Sequence, residues 1–359
     1  MLPLSYVIFL PYGFLFFFMM VISTLYSLSA SHWLGAWAGL EINLIAFIPI
    51  ILYQGKILET ESAIKYFIFQ AVGSALIMFS SLLSFGSDFT WELSINNSSF
   101  FILKGIFILV MGLLLKLGVF PFHFWFPSVV AGLSWFSSFL LLTWQKVAPL
   151  FLLFLISCLW STEMMLFLLL IAGGSSIIGG VGGINQTQMR ALLAYSSISH
   201  LGWMVYCCVL SEASMKIYFG IYFLISMCIF SVIWNTEMTL VSQAFSSFFG
   251  QHTPARLCLI AFFLSLSGIP PLLGFAPKWM VLNLGSNMDT FFILMMLVLG
   301  SLFSLFYYLS LIFSAFFSSG SVFVKSFFFF YGTNKMDTFL IIGMMLNLFG
   351  GIVFLNNFY

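Results

Sequence analysis

The sequence predicts an all-α polytopic membrane protein of about eleven transmembrane helices, and three observations carry that prediction. Of the 359 residues, 62% are apolar, 20% aromatic and only 6% charged, a balance outside the range of soluble domains. The apolar residues gather in stretches of about 20, the length a helix needs to cross the hydrocarbon core. The connections between stretches are too short for a separate soluble domain, so residues 1–359 read as a single membrane domain.

Taken in order, the first stretch, 4–27, lacks a basic leading region and a small-residue cleavage site, so a retained span is expected there, not a signal peptide. The second, 32–53, carries Glu41 about ten residues in, roughly 15 Å along a helix and near mid-depth of the bilayer. The third is 63–85, and the fourth, 100–121, runs into LKLGVFPFHFWFPS. The fifth, 133–157, contains LLTWQKVAP with Lys146 well inside it. The sixth, 163–184, ends in the run GGSSIIGGVGGINQ, which has neither a G-x-x-x-x-G-K-[ST] pattern nor a strand before it. It reads as small residues that let helices approach closely, not as a phosphate loop. The seventh, 191–210, holds His200, and the eighth is 215–235. The ninth, 257–285, is interrupted by SGIPPLLGFAPKW; the tenth and eleventh are 288–317 and 337–356.

One pattern recurs at an offset of 150 residues. Gly118, Pro121 and Pro127 reappear as Gly268, Pro271 and Pro277, both copies reading G-x-x-P followed six positions later by P. An odd number of crossings separates the copies, as in the inverted-topology repeats of secondary transporters. The expected architecture is therefore two five-helix units, 4–157 and 163–317, with the helix 337–356 appended. Proline removes a backbone donor and clashes with the preceding turn, so both copies should break their spans. Non-helical backbone at membrane depth is tolerated where it is buried in protein or lines a hydrated cavity.

Glu41, Lys116, Lys146 and Lys278 lie inside apolar stretches. A charge at helix-centre depth costs about 2.5–3.5 kcal/mol even on the mildest insertion scale, so such residues mark ion or proton paths. Burial disfavours a charged ammonium and a nearby carboxylate favours it, so moving the partner changes where the proton resides. The competing readings are a structural hydrogen bond for Glu41 and snorkelling for a lysine near a helix end, which better describes Lys65, Lys104 and Lys216. His123 and His200 are further titratable groups within the spans, with a packing role as the alternative for His200.

Other functions find no support. Net charge is +1, so no basic surface recommends nucleic acid. The four scattered histidines give no pair of axial haem ligands, and Cys158, Cys207, Cys208, Cys228 and Cys258 show no C-x-x-C spacing and read as packing residues. Asn96, Asn97 and Asn185 head glycosylation sequons that matter only on the secretory route. The many phenylalanines read as lipid-facing and packing mass. No Arg-rich transit segment is present, which fits synthesis inside the compartment whose membrane the chain occupies. Lys56, Lys65, Arg190, Arg256, Lys325 and Lys335 fall on the side of the N-terminus, against Lys104 and Lys216 on the other, so the N-terminus is expected on the positive-inside face.

The segments WAGLEIN, LLLKLGVFPFHFWFPSVV, LLTWQKVAPL, GGINQTQMRALLAYSSISHLGW and SLSGIPPLLGFAPKW occur in order from residue 37 to Trp279. Over that two thirds of its length the chain resembles the subunit 2 proteins of NADH dehydrogenase, mitochondrially encoded antiporter-like subunits of respiratory complex I. The resemblance implies a core subunit of a proton-pumping NADH:ubiquinone oxidoreductase in the mitochondrial inner membrane, its N-terminus in the matrix and its C-terminus in the intermembrane space. It further implies Glu41, Lys116, Lys146 and Lys278 as a proton pathway, with His200 as a weaker member. NADH, FMN, iron–sulfur clusters and ubiquinone would belong to other subunits, this chain binding no cofactor and no metal. Its partners would be other membrane subunits of the complex and lipids. Animal members are shortened from fourteen spans to eleven, in agreement with the count here. Two other classes stay open: a stand-alone Mrp-type cation/proton antiporter, which should keep fourteen spans, and a non-conducting scaffold, which would not need the four buried charges.

Overall fold

The computed structural model describes residues 11–88, 100–157, 162–236, 239, 253–286, 290–317 and 335–357. Residues 4–10 of the first expected span, Cys158, the sequons at Asn96 and Asn97, Lys325 and the side chains of Arg256 and Lys335 lie outside the described residues. Among those described, helices and turns account for the architecture and no β-strand forms, the solution hydrocarbon imposes when every backbone polar group must be satisfied within the protein.

The chain divides into two compact units, Met1–Leu168 and Leu169–Tyr359. The first contains α1 (Pro11–Ser29), α2 (Trp33–Ile51), α3 (Ile57–Asp88), α4 (Phe100–Leu117), α5 (Trp125–Gly132), α6 (Trp135–Leu142) and α7 (Val147–Ser157). Short 3-10 turns, Leu52–Gln54 and Trp144–Lys146, follow α2 and α6. Helix α8 (Thr162–Gly183) carries the boundary. The second unit continues through α9 (Met189–Leu210), α10 (Glu212–Thr236), α11 (Thr253–Ser267), α12 (Phe275–Gly285), α13 (Phe291–Phe317) and α14 (Lys335–Asn357).

Each of the eleven expected stretches contains helix among its described residues, and 100–121, 133–157 and 257–285 are interrupted. Eight helical stretches among the described residues are long and apolar enough to cross a bilayer, with Trp135–Ser157 taken as one, and Cys258–Ser267 and Leu340–Gly351 are shorter apolar helices. The stretches that hold the two repeats are each divided between two half-helices. Large apolar side chains such as Phe14, Phe67, Leu166 and Phe306 face outward, while lysine, histidine and serine side chains are enclosed, as expected where the surroundings are lipid.

Small residues set the helix spacing. In the first unit a Cβ on Gly39 of α2 would lie 2.7 Å from Ser27 Cβ of α1, and a Cβ on Gly112 of α4 would lie 3.0 Å from the carbonyl oxygen of Gly73 on α3. In the second, a Cβ on Gly179 would meet the Ser199 amide of α9 at 2.4 Å and one on Gly180 the Gly300 carbonyl of α13 at 2.7 Å. The glycine run thus serves two neighbouring helices from adjacent positions, and Ser176 adds a hydroxyl hydrogen bond to the Met296 carbonyl at 3.2 Å. This is the small-residue packing that membrane helices use in place of a hydrophobic driving force.

Both repeats break their helices, although glycine and not proline ends them. Gly118 and Gly268 adopt the left-handed backbone, with φ of 71° and 86°. The amide of the following residue turns back five residues in each case, Val119 N–H to Leu114 O at 3.2 Å and Ile269 N–H to Leu264 O at 3.4 Å. That pattern is the Schellman ending, which needs a residue without Cβ at the left-handed position. Pro121 and Pro271 lie inside the breaks. Pro127 and Pro277 are the third residues of α5 and α12, where a missing N–H costs nothing because first-turn amides have no intrahelical acceptor.

A third interruption divides α6 from α7. Proline at 149 cannot donate to the carbonyl of Gln145, four residues earlier, and Trp144–Lys146 winds into a 3-10 turn in which the Lys146 amide bonds Thr143 O at 3.2 Å.

Candidate functional site

In the first unit, Lys116 stands in the last turn of α4, one residue before the helix ends. It is 7% exposed, and its stem runs across α3 at Gly73, where a Cβ would stand 2.9 Å from Lys116 Cγ. The carbonyls at this helix end are individually satisfied. Gln70 of α3 donates its side-chain amide to Lys116 O at 3.2 Å, and the Trp125 indole donates to Leu115 O at 3.2 Å. Glu41, half-buried on α2, is near enough for its carboxylate to act electrostatically on Lys116, yet the two make no direct ion pair. They form a separated pair of opposite charges that a small displacement can bring together or part.

Lys146 occupies the 3-10 turn and is 2% exposed. Its ammonium sits 5.1 Å from the centroid of the Phe126 ring, within cation–π range. The same ring packs on the first break, where a Cβ on Gly118 would approach Phe126 Cδ2 to 3.1 Å. The neighbouring Gln145 donates its side-chain amide to Asn43 Oδ1 at 3.1 Å. The turn that presents Lys146 is therefore fastened to α2 two residues from Glu41, and its ammonium faces the ring that packs on the break two residues from Lys116. Snorkelling is ruled out for Lys146 by its enclosure; by contrast, 43% of the Lys65 side chain and 52% of the Lys216 side chain are exposed, each paired with a glutamate four residues earlier.

In the second unit the lysine and the break are joined directly. Lys278 Nζ donates to Ser267 O at 2.9 Å and to Leu266 O at 3.5 Å. An ammonium thus caps the carbonyl end of α11, where the helix dipole favours a cation. A Cβ on Gly268 would lie 2.8 Å from that nitrogen, so the glycine both makes the turn and leaves room for the lysine. In the first unit the carbonyl equivalent to that of Leu266, Lys116 O, is capped by Gln70 instead. The backbones of the two breaks correspond, and the polar groups that serve them differ.

His200, on α9, is buried and shares a hydrogen bond of 3.0 Å between Nδ1 and the Tyr218 hydroxyl. His123 lies in the first break with its ring 4.1 Å from that of Phe124. Among the described residues, no three His, Cys, Asp or Glu side chains gather as a metal site would require.

Several supporting residues are ones the sequence did not single out. Asn43, Gln70 and Gln145 are polar side chains within apolar stretches, a signal that was legible. Phe126 is one of 48 phenylalanines and carries none. Asn347 of α14 is the most consequential: the amide of Leu273, inside the second break, donates to both the backbone oxygen and Oδ1 of Asn347, each at 3.1 Å. The helix expected as an appendage is thus built into the second break.

Residues 30–304 match the family described as the transmembrane part of NADH:quinone oxidoreductase and Mrp antiporters. The chain is 37% identical to NADH-ubiquinone oxidoreductase chain 2 of Anopheles gambiae over 96% of its own length and 97% of that protein's. In fold it is similar to a chain of respiratory complex I from Thermus thermophilus, with a TM-score of 0.82 at 22% identity, covering 95% of this chain and 78% of that one. It is also similar to a chain of the Mrp complex of Dietzia sp. DQ12-45-1b, with a TM-score of 0.76 at 14% identity over 82% and 59% of the respective chains. The shared sequence over most of the chain, together with buried lysines set at three helix interruptions, establishes that the chain belongs to the NADH:quinone oxidoreductase/Mrp antiporter family of multi-pass membrane proteins, on the side of the chain 2 subunits.

Proposed function

We propose that the chain is a proton-translocating core subunit of mitochondrial complex I, working in the inner membrane beside other membrane subunits of that complex. Protons pass along Glu41, Lys116, Lys146, His200 and Lys278 while NADH oxidation and quinone reduction, with their cofactors, take place in other subunits. The observation that carries this reading is the enclosure of three lysines at interruptions of otherwise continuous helices. The Lys116 stem crosses a glycine face, and the ammonium groups of Lys146 and Lys278 rest on an aromatic ring and on a pair of carbonyl oxygens. Lys116 makes no direct salt bridge with Glu41, so it can give up its proton without breaking that ion pair. Electrostatic or conformational change at Glu41 alters the stability of the ammonium at 116, and the fastening of Gln145 to Asn43 conveys displacement of α2 to the turn bearing Lys146.

The stand-alone antiporter reading is disfavoured by sequence: the chain is 37% identical to the Anopheles chain 2 protein and 14% identical to the Mrp chain. The scaffold reading leaves the burial of Lys116, Lys146 and Lys278 without a purpose.

The test is substitution of Lys146 in the assembled complex. Lys146→Met keeps length and packing but carries no proton, and should strongly depress proton translocation and the quinone reduction coupled to it. Lys146→Arg is permanently charged and should fail as well. Parental pumping by Lys146→Arg in a fully assembled complex means that fixed charge suffices and the relay is wrong, and sodium-dependent transport without quinone reduction returns the antiporter reading.

A further inference from the structure

We infer that a cluster of buried tyrosines and serines around His200 forms a water-bridged hydroxyl relay toward Lys278, entirely within the second unit. The inference rests on the proton-translocation reading and adds route residues that it does not use.

Three helices build the cluster. Helix α9 contributes Ser196, Ser197, Ser199 and His200, α10 contributes Tyr218 and Tyr222, and α13 contributes Ser304, Tyr307 and Tyr308, all buried. His200 bonds the Tyr218 hydroxyl and lies 5.3 Å, ring to ring, from Tyr222. The Tyr222 hydroxyl meets Ser197 and lies within electrostatic reach of Tyr308. The Tyr308 hydroxyl faces Ser196 and Tyr307, and the Tyr307 hydroxyl faces Ser199 and Ser304. The rings of Tyr307 and Tyr308 are 4.6 Å apart.

Two features distinguish this cluster from ordinary packing. The hydroxyls of Tyr307 and Tyr308 are fully enclosed yet have no direct hydrogen bond of good geometry. Leaving a buried polar group unsatisfied costs about 1–3 kcal/mol, a cost that phenylalanine at either position would avoid. The serines, in turn, have committed their protons: Ser196 donates to Leu193 O, Ser197 to Ala194 O, Ser199 to Ser196 O and Ser304 to Ser301 O. Their oxygens therefore remain acceptors facing tyrosine donors, the setting in which a buried water finds its two to four polar partners.

The far end of the cluster reaches the lysine. The Tyr308 ring stacks on Phe263 of α11 at 5.6 Å. Leu266 and Ser267, whose carbonyls hold Lys278 Nζ, follow Phe263 by one helical turn, about 5–6 Å of axial rise. Transfer along such a chain requires no tyrosinate. A proton arriving on a hydroxyl or water oxygen forms one O–H bond while that oxygen's own proton leaves to the next acceptor, so one bond forms and one breaks at each centre. The hydroxyls then rotate back.

The decisive variant is the double substitution Tyr307→Phe/Tyr308→Phe, which keeps both rings. In the assembled, quinone-reducing complex it should slow proton translocation about tenfold, a barrier change of ~1.4 kcal/mol. Tyr206→Phe, which removes a hydroxyl bonded to Thr290 outside the cluster, should translocate at the parental rate. A parental rate in the double variant alongside failure of Lys146→Met overturns the relay and leaves the proposed function standing; parental rates in both overturn the proposed function itself. In a structure resolving internal waters, density within hydrogen-bonding distance of both tyrosine hydroxyls supports the relay, and a dry cluster refutes it.

Discussion

Replacing Gly268 by alanine should uncouple the second half-site by a mechanism that can be followed atom by atom. At φ of 86° an L-residue is strained by about 1–2 kcal/mol. The new methyl would also lie 2.8 Å from Lys278 Nζ and 3.0 Å from its Cδ, so the lysine must move. Moving it lengthens the 2.9 Å bond to Ser267 O, an interaction of a class worth about 1.5–3 kcal/mol. A loss of that size changes the partition of the proton on this lysine by about one to two powers of ten. Gly55→Ala is the matched control. Its φ of 65° imposes similar backbone strain, and a Cβ there meets nothing within 4 Å. Proton translocation per quinone reduced, measured in reconstituted complex together with complex abundance, should fall at least several-fold for Gly268→Ala and stay parental for Gly55→Ala. Equal behaviour of the two variants in fully assembled complexes would falsify the claim that the glycine serves the lysine and not merely the turn.

Other expectations follow from single contacts. Glu41→Gln should lower pumping and coupled turnover while assembly is retained, because the amide keeps the shape and removes the charge acting on Lys116; normal protons per electron would defeat the switchable pair. Asn347→Ala removes one of two acceptors for the Leu273 amide, a loss of about 1 kcal/mol. Hydrogen exchange at Leu273 should therefore quicken about fivefold, and unchanged exchange would mean that α14 does not brace the break. Label access in mitoplasts should place the N-terminus in the matrix and the C-terminus in the intermembrane space, as the lysine and arginine distribution requires; finding both ends on one side would refute eleven crossings.

The sequence by itself determined that the chain spans a membrane repeatedly, where its helices lie, and which four charges and two glycine–proline repeats fall inside its apolar stretches. These are local properties. Hydrocarbon admits so few charges and so little irregular backbone that each exception is visible in a one-dimensional string. Even the reason for each break was only half legible, since proline announces an interruption but the left-handed glycine that ends the helix is recognised by its φ. The tertiary structure alone decided what each lysine lies against: Gly73 beside the Lys116 stem, Phe126 beneath the Lys146 ammonium, and the carbonyls of Leu266 and Ser267 around that of Lys278. It alone revealed Asn347 at the second break and the tyrosines around His200. Supporting partners such as Gln145 and Asn43 lie as far as 102 residues apart in the chain, and many are residue types that also serve as ordinary packing, so only helices brought side by side distinguish a supporting contact from apolar mass.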